Sequence, residues 1–139
     1  MTYLLDTCVI SELVALRPAQ PVLDWIAGVD ETRLFLSALT VGEIGRGIER
    51  LSASARRDTL TEWLAHDLPV RFQGRILALD TDVMLTWGRM MAELERHGRT
   101  MPAMDSLIAA TVLHRGLRLV TRNEKDFAGS GITVINPWR

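Results

Sequence analysis

Apolar residues along this chain fall into two alternating patterns, short continuous runs and longer stretches with apolar positions spaced by three and four. The runs read as buried strands and the spaced stretches as amphipathic helices. Tyr3 to Leu5 is the first run and stops at Asp6. A helix is predicted from about Cys8 to Leu16, where Arg17-Pro18 breaks it. Pro21 opens a second helix through Val22, Leu23, Trp25 and Ile26. Leu34 to Ser37 reads as a strand, and Thr40 starts a helix with Val41, Ile44, Ile48 and Leu51 on one face. Another helix is expected over Ala53 to Leu68, with Leu60, Trp63 and Leu64 inward, ending before Pro69.

Ile76 to Leu79 is the third expected strand, closed by Asp80-Thr81-Asp82, whose side chains suit a helix cap. The helix that follows carries Val83, Met84, Trp87, Met90, Met91 and Leu94 as a core stripe and ends at His97-Gly98. Ala103 to Arg115 reads as helix, Gly116 as its stop, Leu117 to Thr121 as a fourth strand and Ile132 to Ile135 as a fifth. Strands alternating with helices, and lacking polar alternation, imply an α/β fold with a mostly parallel sheet covered on both faces. Ligands in such folds bind beyond the carboxyl ends of the strands.

Composition narrows the class. With 139 residues, 47% hydrophobic and 24% charged, the chain suits one globular domain spanning 1–139. The single cysteine, Cys8, excludes an internal disulfide, and no paired Cys and His pattern suggests zinc. An acid after only five residues argues against a signal peptide, and no apolar run is long enough to span a bilayer, so a cytoplasmic, membrane-free protein is expected. A net charge of −1 provides no global attraction to nucleic acid, so a polyanion would need a local patch or a metal ion.

Four acidic places stand at strand ends or helix starts: Asp6, Glu43, Asp105, and the Thr121-Arg122-Asn123-Glu124-Lys125-Asp126 turn. Each has a local structural reading. Asp6 can cap a helix; Thr40-Val41-Gly42-Glu43 fits a capping box; Asp105 can complement a helix dipole; Asn123 and Asp126 can shape a turn. Together they point elsewhere, because a parallel sheet gathers all four at one mouth. Crowded carboxylates repel one another and raise their pKa values, a conflict that a hard divalent cation resolves. Oxygen donors without Cys or clustered His favour Mg²⁺ or Mn²⁺, and the chemistry this implies is phosphodiester hydrolysis.

Other chemistries lack support. Neither GxxxxGK[ST] nor GxGxxG occurs, and there is no GxSxG elbow. His66, His97 and His114 lie in helical stretches far from the acids and read as surface or core-edge residues. Cys8 lacks a basic partner and reads as a structural thiol.

LLDTCVISEL, LSALTVGEIGRGIERL, MPAMDSLIAATVLHRGLRLVTRNEKDF and ITVINPW, in that order and over essentially the whole chain, resemble the PIN-domain ribonucleases, specifically the VapC toxin type and its FitB-like branch. The resemblance implies a PIN-like three-layer α/β/α domain acting as a Mg²⁺-dependent endoribonuclease, the toxin of a type II toxin–antitoxin pair. By position, Asp6 and Asp105 match the usual direct metal ligands, and Glu43 the acid that binds the ion or orients the attacking water. Asn123 stands where the family often has Asp, so Asn123 or Asp126 would complete the shell. Cys8 replaces a frequent Asn, leaving Thr7 as the nearest hydroxyl.

The same resemblance implies structured RNA such as tRNA or rRNA as substrate, a homodimer, and a small DNA-binding antitoxin. A peptide of that antitoxin would cross an apolar groove built from residues such as Leu13, Leu16, Trp25, Ile48 and Leu51 and point a basic side chain at the acids. Arg46 and Arg122 are the best-placed phosphate contacts in sequence. The rival reading is a catalytically weak PIN-like subunit serving as a binding module in a DNA-bound antitoxin complex. A receiver-like phosphoacceptor would need a lysine after its own strand, and the sole Lys125 lies within the last acidic turn.

Overall fold

The computed structural model describes all residues, 1–139. Five short strands form one sheet in the order β3-β2-β1-β4-β5, every neighbouring pair parallel. They are β1 (Tyr3–Leu5), β2 (Leu34–Ser37), β3 (Ile76–Leu77), β4 (Arg118–Val120) and β5 (Val134–Ile135). The register places Tyr3 beside Leu34 on one side and Leu5 beside Val120 on the other. The chain therefore leaves β1 in one direction for β2 and β3, and later returns to its other flank for β4 and β5. This reversal makes the β1–β4 boundary the topological switch point, beyond whose strand ends ligands bind in folds of this kind.

Alternation along the strands builds two cores. Leu4 and Leu119 face one layer, which includes Val83, Met90, Leu94, Ile108, Val112 and Phe127. Leu5, Val120, Leu34 and Leu36 face the other, with Val9, Ile10, Val22, Ile26, Leu68 and Phe72. The first layer rests on α6 (Thr81–Arg96) and α7 (Ala103–Arg115); the second on α1 (Thr7–Glu12), α2 (Gln20–Ala27), α3 (Ala38–Glu49) and α5 (Leu68–Arg71), with α4 (Ala55–Glu62) packed against α3. The expected three-layer α/β/α arrangement is observed, and its sheet is parallel throughout.

Several local expectations are corrected. The first helix ends at Glu12 instead of reaching Leu16, and Glu12 Oε2 accepts from the Ala19 N–H at 2.8 Å, which ties down the returning loop. Helix α3 begins at Ala38, capped by Ser37 Oγ accepting from the Leu39 N–H, so Thr40 is a buried residue inside the helix and not its start. The helix expected to stop before Pro69 continues to Arg71 through a π turn over Trp63–Asp67. That wider turn spans Ala65, whose carbonyl the Pro69 ring would otherwise strike. Met84 leaves the α6 core stripe and stands 38% exposed. The predicted strands at Ile76 to Leu79, Leu117 to Thr121 and Ile132 to Ile135 are each shorter than the apolar run that suggests them.

Candidate metal centre

Asp6 leaves the end of β1 as the N-cap of α1, so the strand delivers its carboxylate to the switch point. Its backbone N–H donates to the Val120 carbonyl at 3.0 Å, continuing the β1–β4 ladder one residue past the strand. The side chain is buried, and both oxygens are engaged. Oδ1 accepts from the Thr7 N–H at 2.9 Å, and Oδ2 accepts from Thr121 Oγ1 at 2.8 Å. Burial pushes the Asp6 carboxyl above the usual carboxylate range, opposed by those two hydrogen bonds and assisted by the charge of Asp126.

Glu43 comes to the same mouth from the second turn of α3, on the neighbouring β2 side. Thr7 Oγ1 donates to Glu43 Oε1 at 2.9 Å and lies 3.4 Å from Thr40 Oγ1. The capping-box reading of Glu43 is thereby excluded: Ser37 caps the helix, and Glu43 bonds across to α1. Its second oxygen, Oε2, has no hydrogen-bond partner.

Asp105 occupies the first turn of α7, where the helix dipole favours a negative charge. It nevertheless titrates at about 6, raised first by desolvation and then by the charges of Asp126, Asp6 and Glu43. Those influences place all four carboxylates within one electrostatic neighbourhood. None of them pairs with a basic side chain. The side chains as they stand do not close on a single point, since no group of three His, Cys, Asp or Glu residues forms a ligand set. The donor chemistry fits a hard divalent cation: oxygen atoms only, an excess of negative charge, and no cation of the protein's own to balance it.

The last acidic turn separates its candidates. Asp126 is the residue whose charge acts on both Asp6 and Asp105. Asn123 instead opens a 3₁₀ turn (Glu124–Phe127), and its N–H donates to Thr121 Oγ1 at 3.1 Å. Thr121 is the residue that sequence reasoning left out. It is fully buried just beyond β4, donates to Asp6 and accepts from Asn123. Its position at the end of a strand beside that of Asp6 was the available signal.

Cys8 is half-buried against Thr121, with Sγ and Oγ1 3.6 Å apart, and burial pushes its thiol up, as suits a structural role. The three histidines are exposed. Arg122 does not extend freely toward the acids, because its guanidinium stacks 5.4 Å from the Trp138 ring centroid. Arg46 is exposed on α3 and unpaired.

The chain is similar to known proteins over most of its length. A family model described as the PIN domain matches residues 3–129. The chain is 35% identical over 134 residues to the VapC ribonuclease Y4jK of Sinorhizobium fredii, covering 96% of each. It is 33% identical over 135 residues to the toxin FitB of Neisseria gonorrhoeae, covering 97% of each. The solved structure of FitAB bound to an IR36 DNA fragment matches with a TM-score of 0.93 at 31% identity, covering 99% of this chain and 96% of that one.

Proposed function

Since this chain belongs to the PIN-domain family, in its VapC and FitB-like branch, we propose that it is a Mg²⁺-dependent endoribonuclease, the toxin of a VapBC-like toxin–antitoxin pair acting in the cytoplasm. One observation carries the reading: four carboxylates, Asp6, Glu43, Asp105 and Asp126, gather at the switch point with no basic partner, and burial first, then the other three charges, pushes the Asp105 carboxyl up to about 6. A relative named a ribonuclease supports the substrate class.

Asp6 and Asp105 would hold the ion, with Mn²⁺ an acceptable substitute, and Asp126 in preference to Asn123 would add negative charge to the shell. A bound divalent ion supplies Lewis-acid neutralisation of charge on the phosphate undergoing attack. The side chains do the rest. Thr121 holds Asp6 in one orientation, and Thr7 does the same for Glu43. Glu43 Oε2 is then free to take a proton from the attacking water as its oxygen forms the new bond to phosphorus and the leaving oxygen departs. Arg46 stands near enough along α3 to contact the RNA backbone.

The reading includes a homodimer and a small DNA-binding antitoxin. Support for the antitoxin comes from the FitAB complex on DNA and from a groove of about 280 Å³ lined by Ile44, Ile48, Leu51, Leu60 and Trp63, with Glu43 on its wall. Of the apolar set expected to form it, Ile48 and Leu51 line the groove, whereas Leu13, Leu16 and Trp25 do not. A peptide lying there would bring a basic side chain against the acids.

The test is cleavage of tRNA and rRNA by purified, antitoxin-free protein with Mg²⁺ and with EDTA. Cleavage that needs Mg²⁺ is expected. Full cleavage in EDTA refutes the metal assignment, and none under either condition favours the binding-module alternative.

A further inference from the structure

A second pocket opens on the other flank of Glu43, away from the antitoxin groove. Ala38, Leu39, Gly42, Glu43 and Arg46 of α3 form one wall; Ala78, Leu79 and Met104 form the other, enclosing about 410 Å³. Its lining is mostly apolar and also includes the carboxylate of Glu43 and the unpaired guanidinium of Arg46. Met104, next to Asp105, is left 41% exposed above it. We propose that this pocket receives one nucleobase of the RNA strand, from a nucleotide beside the scissile phosphate, with Arg46 contacting the adjoining backbone. The inference rests on the ribonuclease reading above.

Three features select a base over other occupants. Glu43 is shared between the pocket and the acidic site, so whatever fills the pocket lies next to the phosphate being cut. The lining of Leu and Met side chains suits a flat π face, and a thioether sulfur makes favourable contacts with aromatic rings. The lining includes Arg46, a cation with no protein partner, matching a phosphodiester on the occupant. Gly42, on the pocket wall, supplies the probe. It lies inside α3, where glycine weakens a helix, yet a Cβ there would meet no atom within 4 Å. A larger side chain at that position would enter the pocket without disturbing the protein's own packing.

The experiment uses the full chain and short single-stranded RNA oligonucleotides carrying the fluorescent adenine analogue aminopurine at each position in turn, with Ca²⁺ in place of Mg²⁺ to limit cutting. One position should brighten on binding, as its base leaves the quenching stack of its neighbours for an aliphatic lining. Gly42→Leu should abolish that rise and weaken binding about tenfold, the scale of the apolar burial lost, whereas Gly88→Leu, a like change on α6 outside the pocket, should behave like wild type. Brightening at no position, an equal rise in Gly42→Leu, or no binding overturns the proposal. So does a shift of Gly42→Leu to monomer in light scattering with fluorescence unchanged, which would make the pocket a contact between copies. Parallel cleavage assays in Mg²⁺ separate the two readings. A base that enters the pocket without any cutting leaves the pocket and removes the nuclease, and cutting without a base in the pocket does the reverse.

Discussion

Thr121 Oγ1 donates to Asp6 Oδ2 at 2.8 Å, joining the ends of β4 and β1 across the switch point. The two residues are 115 positions apart, and the bond is fully buried. It fixes the carboxylate at the centre of the site and partly offsets its desolvation. Thr121→Val keeps the shape and removes the donor, leaving a buried carboxylate oxygen unsatisfied. The expected result is a loss of about 1–3 kcal/mol in thermal or denaturant unfolding and a fall in RNA cleavage of about tenfold or more. Thr121→Ser should recover most of both. Wild-type cleavage in the Val variant would show that the bond serves packing alone.

Asp6→Asn and Asp105→Asn should each abolish cleavage while leaving the fold intact, since each removes a negative donor from the metal centre. Circular dichroism checks the fold and Mg²⁺-dependent RNA cleavage checks the function. Full activity in either variant would refute its assignment as a metal ligand.

Stability of the EDTA-treated protein should depend on pH through Asp105. Its carboxyl titrates at about 6 when folded against an ordinary value of 3.8, so the folded chain binds this proton more tightly than the unfolded chain. The group's contribution is therefore most favourable at acid pH and is lost as pH rises from the unfolded to the folded value. Asp6 acts in the same direction. Asp105→Asn should stabilise the metal-free protein by about 1 kcal/mol at about pH 8, after allowing for solvent screening, and have little effect at about pH 4. Melting curves at the two pH values test this; an equal gain at both would point to a cause other than titration.

Glu43→Gln and Ser37→Ala should have opposite signatures. Ser37 carries the cap of α3, so its loss costs about 1 kcal/mol of stability with little change in rate beyond that of destabilisation. Glu43→Gln leaves the cap in place and removes the proton acceptor, so stability holds while cleavage falls about a hundredfold or more. Paired melting and initial-rate measurements decide between these roles.

Asn123→Asp should strengthen Mg²⁺ binding several-fold in a calorimetric titration, because a carboxylate is a better donor than a neutral amide for an ion that dehydrates reluctantly. Asp126→Asn should weaken it. If the two changes leave affinity untouched, the last turn lies outside the metal's shell.

Local chemistry determined much of this protein before any folding was considered. The runs at Tyr3 to Leu5 and Leu34 to Ser37 match β1 and β2 because a strand buried on both faces needs a continuous apolar run. Asp80 caps α6 through the Val83 N–H, and Gly116 ends α7 in the left-handed conformation; both are effects of one side chain on its own backbone. Asp6, Glu43 and Asp105 were legible as candidates from their places at strand ends and helix starts, strengthened by motif resemblance. Tertiary structure decided what those acids touch. Glu43 resembled a helix cap only because three-residue spacing to Thr40 is local, whereas its partner, Thr7, lies 36 residues away. The weight of Asp126, the buried role of Thr121 and the π turn ahead of Pro69 likewise depend on contacts made when distant segments pack. Sequence periodicity encodes which face a residue presents to its own element; only closure of the parallel sheet at the β1–β4 boundary brings those faces to one mouth.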